Sequence, residues 1–269
     1  MVYSWYHITM NDTIPLANEI VAWLTGYAIR NNRKSWVVGV SGGVDSALVS
    51  TLCAMTGIKT IGVVIPCHSK DDGIDFGFKH MWWLQSKYPN VGGHFINLTK
   101  TFDAFCDSLP GGLGNELAFA NTKSRLRMVA LYQVATVNGG LVVGTGNKVE
   151  DFGVGFFTKY GDGGVDISPI ADLMKSEVRH MCRDLGVLPE LCEAVPEDGL
   201  WDDNRTDESA IGATYDELEW AMKTMEVGTC EYEGPHFTDR QAEILTIYNK
   251  WHKAGAHKLA PIPTFKRKA

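Results

Sequence analysis

Ser41-Gly42-Gly43-Val44-Asp45-Ser46 places two adjacent glycines among hydroxyls and an acid. The apolar run Val37–Val40 enters this stretch, and a helical pattern through Leu48, Val49 and Leu52 leaves it. Strand, tight turn and helix N-terminus together offer free backbone N–H groups and a positive dipole end to an anion. An acid in such a loop repels a bare phosphate unless a metal lies between them. Ser41–Ser46 is therefore read as a nucleotide-phosphate loop that carries its own magnesium ligand, Asp45. No Lys-Ser/Thr follows the glycines, so this is not a Walker A loop. Gly39-Val40-Ser41-Gly42-Gly43 also satisfies G-x-S-x-G, the nucleophile elbow of serine hydrolases, and that reading stays open as a rival using Ser41.

Three further stretches could share the same chemistry. Asn121, Lys123, Arg125 and Arg127 alternate along one helical segment, and i,i+4 spacing pairs 121 with 125 and 123 with 127. The segment is apolar beyond Arg127, so the basic cluster is local and suits a phosphate or carboxylate. Gly144-Thr145-Gly146-Asn147-Lys148-Val149-Glu150-Asp151 follows a short core strand, and Glu150 could complete a magnesium site with Asp45. Phe156-Phe157-Thr158-Lys159-Tyr160 leads into Gly161-Asp162-Gly163-Gly164-Val165-Asp166. Its aromatics suit a flat heterocycle and its lysine a phosphate; an exposed glycine hairpin would leave the aromatics unexplained.

The elements that must position these residues follow from periodicity. Helices are expected over 14–31, 44–56, 74–86, 116–138 and 173–185, with Thr99 capping a further short helix and Asp172 capping the one at 173. Strands are expected at 36–40, 60–65, 93–97 and 141–143. Strands separated by helix-length crossovers imply an α/β fold, a doubly wound and mostly parallel sheet flanked by helices. Five glycines between Gly153 and Gly164 predict a constrained surface loop. Residues 196–212 are acidic and aperiodic, as a lid loop would be. Thr214-x-x-Glu217 and Thr238-x-x-Gln241 open the last two helices as capping boxes. With no repeat or linker, residues 1–269 read as one domain.

Composition narrows the class. Of 269 residues 45% are hydrophobic and 21% charged, enough for a full α/β core. No apolar run reaches the roughly 18 residues of a membrane span, and the N-terminus lacks a signal peptide's basic lead, so a cytoplasmic location is expected. The six cysteines form no C-x-x-C pair, which favours reduced thiols. A net charge of −7 disfavours a nucleic-acid binder, though not a nucleotide ligand.

Ser41-Gly42-Gly43-x-Asp45-Ser46 resembles the phosphate loop of the ATP pyrophosphatases, which cleave ATP between its α- and β-phosphates. The Asn121–Arg127 cluster, Gly144–Glu150, Gly155–Asp166, Arg205–Glu208 and Tyr215–Glu217 follow it in the order found in the ammonia-dependent NAD synthetases, and this resemblance spans about residues 36–260. It implies a Rossmann-like fold of the ATP pyrophosphatase type. Gly39, Val40, Ser41, Gly42, Gly43, Val44, Asp45 and Ser46 would bind ATP with Thr145 and Lys175, while Asp45 and Glu150 would hold Mg²⁺. Arg125, Lys159, Asp166, His257 and Lys258 would hold deamido-NAD. Asp45, Lys175 and Asp166 would carry catalysis, the last as base or ammonium holder. The resemblance also implies ATP and ammonia as co-substrates and a homodimer; with no fused glutaminase domain, free ammonia is the expected donor. Glu197 stands where the family commonly has Ser or Thr. GMP synthetase-like and tRNA-thiolating ATP pyrophosphatases share the first loop and remain rivals, but they do not require Phe156–Asp166.

Overall fold

The computed structural model describes residues 10–69, 71–193, 206–226 and 237–267. Four parallel strands, β1 (Ser35–Gly39), β2 (Lys59–Val64), β3 (Val91–Phe95) and β4 (Gly140–Val143), lie in the order β3-β2-β1-β4. Beside β4, Ile167 pairs with Val143 and prolongs the sheet's carboxyl edge. Each strand begins within two residues of its expected start. For β1, β2 and β4, short apolar runs bounded by glycine or polar turns leave little freedom for the register of a buried strand, whereas β3 is a more exposed edge strand.

Alternation along β1 assigns the two faces. Trp36 and Val38 point to α1 (Met10–Arg30), α2 (Val44–Met55) and α6 (Lys175–Asp184), in a core that also holds Leu24, Leu48, Leu52 and Met181. Val37 points the other way with Ile61, Val63 and Val142, onto Met128, Leu131 and Ala135 of α5 (Glu116–Val137). The crossover helix between β2 and β3, α3 (Asp71–Lys87), lies over β2, where Met81 leaves no room for a side chain at Gly62. With helices on both faces, the sheet is doubly wound as expected.

A second apolar cluster sits beyond the carboxyl edge. Val149, Val154, Tyr215, Leu218, Met222, Ile244 and Tyr248 join a π-helical segment (Lys148–Val154) to α8 (Asp207–Ile211), α9 (Tyr215–Glu226) and α10 (Asp239–Leu259). Here three expectations fail. The glycine run is only in part a surface loop: Gly153 is buried in the π-turn against Met222 and Tyr248, while Gly155–Gly164 is a run of turns that exposes Tyr160, Asp162 and Gly163. Asp172 does not cap α6; Glu177 reaches back to the Met174 N–H at 2.7 Å instead. Thr99 is the first residue of α4 (Thr99–Asp107) rather than its cap, and its hydroxyl accepts from the His68 N–H. α7 (Pro189–Cys192) completes the set. Both capping boxes form as read, with Thr214 and Glu217 exchanging hydrogen bonds and Thr238 doing the same with Gln241.

The loop expected over 196–212 lies mostly outside the described residues, Glu197 and Arg205 included; its last part is α8. Among the described residues no helix is long and apolar enough to cross a membrane.

Candidate active site

The turn between β1 and α2 is shaped by Gly42. Its φ of +91° is left-handed, and a Cβ there would lie 2.7 Å from the Gly73 carbonyl oxygen, so only glycine fits. Gly43 is the N-cap of α2 and supplies no side-chain acceptor, which leaves the first-turn N–H groups for an anion. Ser46 Oγ braces the loop, donating to Gly43 O (2.9 Å) and accepting from the Ser41 N–H (3.2 Å). Ser41 Oγ accepts from the Gly43 N–H and pairs with Ser46 Oγ, and among the described residues no histidine hydrogen-bonds it. That arrangement suits a phosphate loop and lacks the base a nucleophilic serine needs.

Beside the loop lies a compact charged cluster. Lys175, the first residue of α6, places Nζ 2.5 Å from Asp45 Oδ2 and 2.8 Å from Glu150 Oε1. Asn147 Nδ2 donates to Asp45 Oδ1 (3.1 Å) and Glu150 Oε2 (2.7 Å), while its Oδ1 accepts from the Glu150 N–H. The Tyr215 hydroxyl contacts Glu150 Oε1 and Asp207 Oδ2, and the Lys175 ammonium lies 4.8 Å from the Tyr215 ring centre. Burial alone would weaken the charge on Lys175, yet Asp45 and Glu150 outweigh it and hold the lysine protonated above its ordinary range. Burial also raises the Glu150 carboxyl, against the pull of Lys175. For Tyr215, burial with Glu150 and Asp207 nearby keeps the phenol protonated.

This cluster opens into a cavity of about 900 Å³, whose lining runs from Gly39, Val40 and Ser41 through Thr145, Glu150 and Lys175 to Arg125, Lys159, His257 and Lys258. Gly43, Val44, Asp45 and Ser46 line it as well, with Gly42 buried beneath them. Gly155 is what brings the C-terminal helix here. Its φ is +68°, and its Cβ would stand 2.8 Å from Gly255 Cα, so α10 crosses the loop backbone to backbone. Lys258 Nζ then donates to Gly155 O and to Phe157 O (2.7 Å) and lies 4.5 Å from the Phe157 ring centre. Lys159 Nζ reaches His257 O at 3.3 Å, and Arg125 Nε donates to Lys159 O at 3.2 Å.

Asp166 stands apart from these residues. Its carboxylate accepts from the Val142 N–H (2.8 Å) and the Tyr132 hydroxyl (3.1 Å), and it does not line the cavity. Val165 faces the cavity, whereas the Asp166 carboxylate turns to Tyr132 and the Val142 N–H. The acid that this segment does present to the cavity is Asp162, whose Oδ1 accepts from Ser124 Oγ (2.6 Å) and the Thr158 N–H (3.0 Å). Asn147, Asp162 and Tyr215 were not assigned from the sequence. Asn147 could have been, since it stands three residues before Glu150 as an N-cap and accepts from the Glu150 N–H. Tyr215 lies 65 residues from Glu150, and no local pattern announces that contact.

Comparison with known proteins agrees with this geometry. A model of the NAD synthase family matches residues 16–262. An ammonia-dependent NAD(+) synthetase of Carboxydothermus hydrogenoformans is 38% identical over 244 residues, covering 89% of this chain and 92% of the relative. One from Pyrococcus furiosus is 34% identical over 245 residues, covering 89% and 91%. Among solved structures, an NMN synthetase from Francisella tularensis superposes with a TM-score of 0.81 at 29% identity, covering 94% of this chain and 99% of that one. The chain belongs to the NAD synthase family.

Proposed function

We propose that the chain makes NAD by ATP-dependent amidation of deamido-NAD with free ammonia, through an acyl-adenylate, releasing AMP and pyrophosphate. The observation that carries this reading is one cavity with a phosphate loop and two-carboxylate corner at one end and the cations of Arg125, Lys159 and Lys258 at the other. A carboxylate is a poor electrophile, so it must first be activated. Attack of the nicotinate carboxylate on the ATP α-phosphorus forms the acyl-adenylate; ammonia then displaces AMP. Charge builds on the departing pyrophosphate, where the N–H groups of residues 44–46 and the Lys175 ammonium can stabilise it. Arg125, Lys159 and Lys258, with the His257 backbone carbonyl steadying Lys159, hold the acceptor. Ammonium must give up a proton before it attacks, and the cavity-facing carboxylate of this segment, Asp162 rather than Asp166, is placed to take it.

Mg²⁺ fits the corner. Asp45 and Glu150 already converge on one cation, Lys175 Nζ, and Asn147 fixes the remaining oxygen of each carboxylate. Mg²⁺ held by Asp45 and Glu150 would supply charge neutralisation at the phosphates. Exposed Val129 and Val137, eight residues apart on α5, leave apolar surface that supports a homodimer. The same reading puts the protein in the cytoplasm.

The test incubates the protein with ATP, Mg²⁺, ammonium and deamido-NAD and follows NAD, AMP and pyrophosphate. NAD with stoichiometric AMP is expected; a GMP or thiolated-tRNA product in parallel assays, with no NAD, would overturn the reading. The Francisella neighbour favours one second reading, in which NMN is the product. Comparing kcat/KM for deamido-NAD and for nicotinate mononucleotide separates the two.

A further inference from the structure

The face that α9 turns toward α6 and Glu150 carries two buried polar side chains that the reaction scheme does not use. Tyr215 and Glu219 are four residues apart and therefore on one face of the helix, 1% and 6% exposed. Both reach α6 or its partners. Tyr215 gives its hydroxyl to Glu150 and lays its ring beside the Lys175 ammonium. Glu219 accepts from the Ser176 N–H and from Ser176 Oγ, each at 2.8 Å, in the first turn of α6 immediately after Lys175.

We propose that α9 is a positioning element for the reaction: Tyr215 sets the Glu150 carboxylate and the Lys175 side chain, and Glu219 fixes the helix start from which Lys175 projects. The proposal rests on the function given above and deepens it. Packing alone would be served by apolar residues at both positions, as at Leu218 and Met222 on the same helix. A polar group pays for burial only if it is hydrogen-bonded, and both spend their bonds on neighbours of the phosphate corner. α9 is itself anchored. The Tyr215 N–H donates to Glu208 Oε1 at 2.9 Å, and Arg240 of α10 grips Glu217 at 2.8 Å. The rear wall of the corner is thus tied to the helix that delivers Lys258, which links the two ends of the cavity mechanically.

Two variants test this in the full-length protein. Tyr215→Phe keeps the ring and its packing but removes the hydroxyl. Mg²⁺ binding in the presence of α,β-methylene-ATP, which cannot be cleaved at the reacting bond, is measured by calorimetry. Loss of a partner that orients a metal ligand commonly weakens metal affinity 10–100-fold, and about tenfold is expected here. The Mg²⁺ requirement for turnover should rise in parallel while the KM for deamido-NAD stays unchanged. Glu219→Ala should lower kcat about tenfold with Mg²⁺ affinity intact, and Glu219→Gln, which keeps an acceptor for the Ser176 N–H, should restore it. Wild-type Mg²⁺ affinity in Tyr215→Phe, or a Glu219→Ala defect confined to thermal stability, overturns the proposal. The calorimetric arm uses no acceptor, so a failure of the deamido-NAD assignment would leave it readable.

Discussion

At one end of the cavity Lys175 Nζ lies within 2.8 Å of two carboxylates; at the other, Arg125, Lys159 and Lys258 direct their N–H groups to carbonyl oxygens of Lys159, His257, Gly155 and Phe157. The two arrangements leave different fields. Two carboxylates against one ammonium make the first end net negative, which attracts a divalent cation and, through it, a polyphosphate. A carbonyl dipole steadies a cation without cancelling its charge, so the three cations outnumber the nearby Asp162 and Asp151 and the second end stays positive toward an anionic acceptor. One end must exchange partners when substrate arrives; the other is ready as it stands. This division suits the proposed chemistry, in which ATP would bring a metal and the acceptor only phosphates and a carboxylate.

The largest expected effect comes from breaking the first end. Asp45→Ala removes one of the two acids, and NAD formation should fall at least ~10³-fold, with added Mg²⁺ giving no recovery. Retained turnover would mean that the corner is a structural ion pair. Breaking the second end should look different. Lys258→Met removes a charged donor, and a hydrogen bond to an ionised group is worth about 1.5–3 kcal/mol, so the KM for deamido-NAD should rise ~10–100-fold. The KM for ATP should not move. Steady-state kinetics with each substrate varied in turn will show whether the two ends are as separate as their partners suggest.

A smaller effect should follow from shifting the second end without discharging it. An alanine at Gly255 would put its Cβ 2.9 Å from Gly155 Cα and 3.1 Å from Val154 O, both backbone atoms that cannot swing aside. Gly255→Ala should cost about 1–3 kcal/mol in chemical denaturation, as overpacking does, and raise the acceptor KM several-fold as α10 lifts. An unchanged acceptor KM alongside lost stability would show that the crossing sets packing rather than the site.

That crossing also marks where the sequence stopped being readable. Gly39–Ser46 could be placed because strand, turn and helix are contiguous, so chemistry and local geometry coincide within ten residues. The capping boxes at Thr214 and Thr238 were legible for the same reason. Gly155 was not, since its constraint is Gly255, 100 residues on, and without that partner a glycine run resembles an exposed loop. Asp166 differs more locally: its neighbour Val165 lines the cavity while its own carboxylate is taken by Tyr132 and the Val142 N–H. Roles carried by a side chain's neighbours in sequence were recoverable; roles set by a partner in space, as for Tyr215, were not.

The finest distinction between the ends is their response to alkali. Burial lowers the pKa of Lys258, opposed by Asp162 and Asp151, so it loses its proton at lower pH than a free lysine. For Lys175 burial acts in the same direction, but Asp45 and Glu150 reverse the outcome and the ammonium persists above the ordinary range. As pH rises, affinity for the anionic acceptor should therefore weaken first, below the ordinary lysine value of 10.5, while affinity for the ATP analogue with Mg²⁺ holds. Calorimetric titration of each ligand without ammonium keeps the donor's own protonation out of the measurement. The loss cannot exceed that of Lys258→Met, because deprotonation removes only the charge. Lys258→Arg should abolish the alkaline limb, as a guanidinium stays protonated throughout. If acceptor and analogue binding instead decline together, Lys258 is not what distinguishes the ends, and the positive field must come from Arg125 and Lys159.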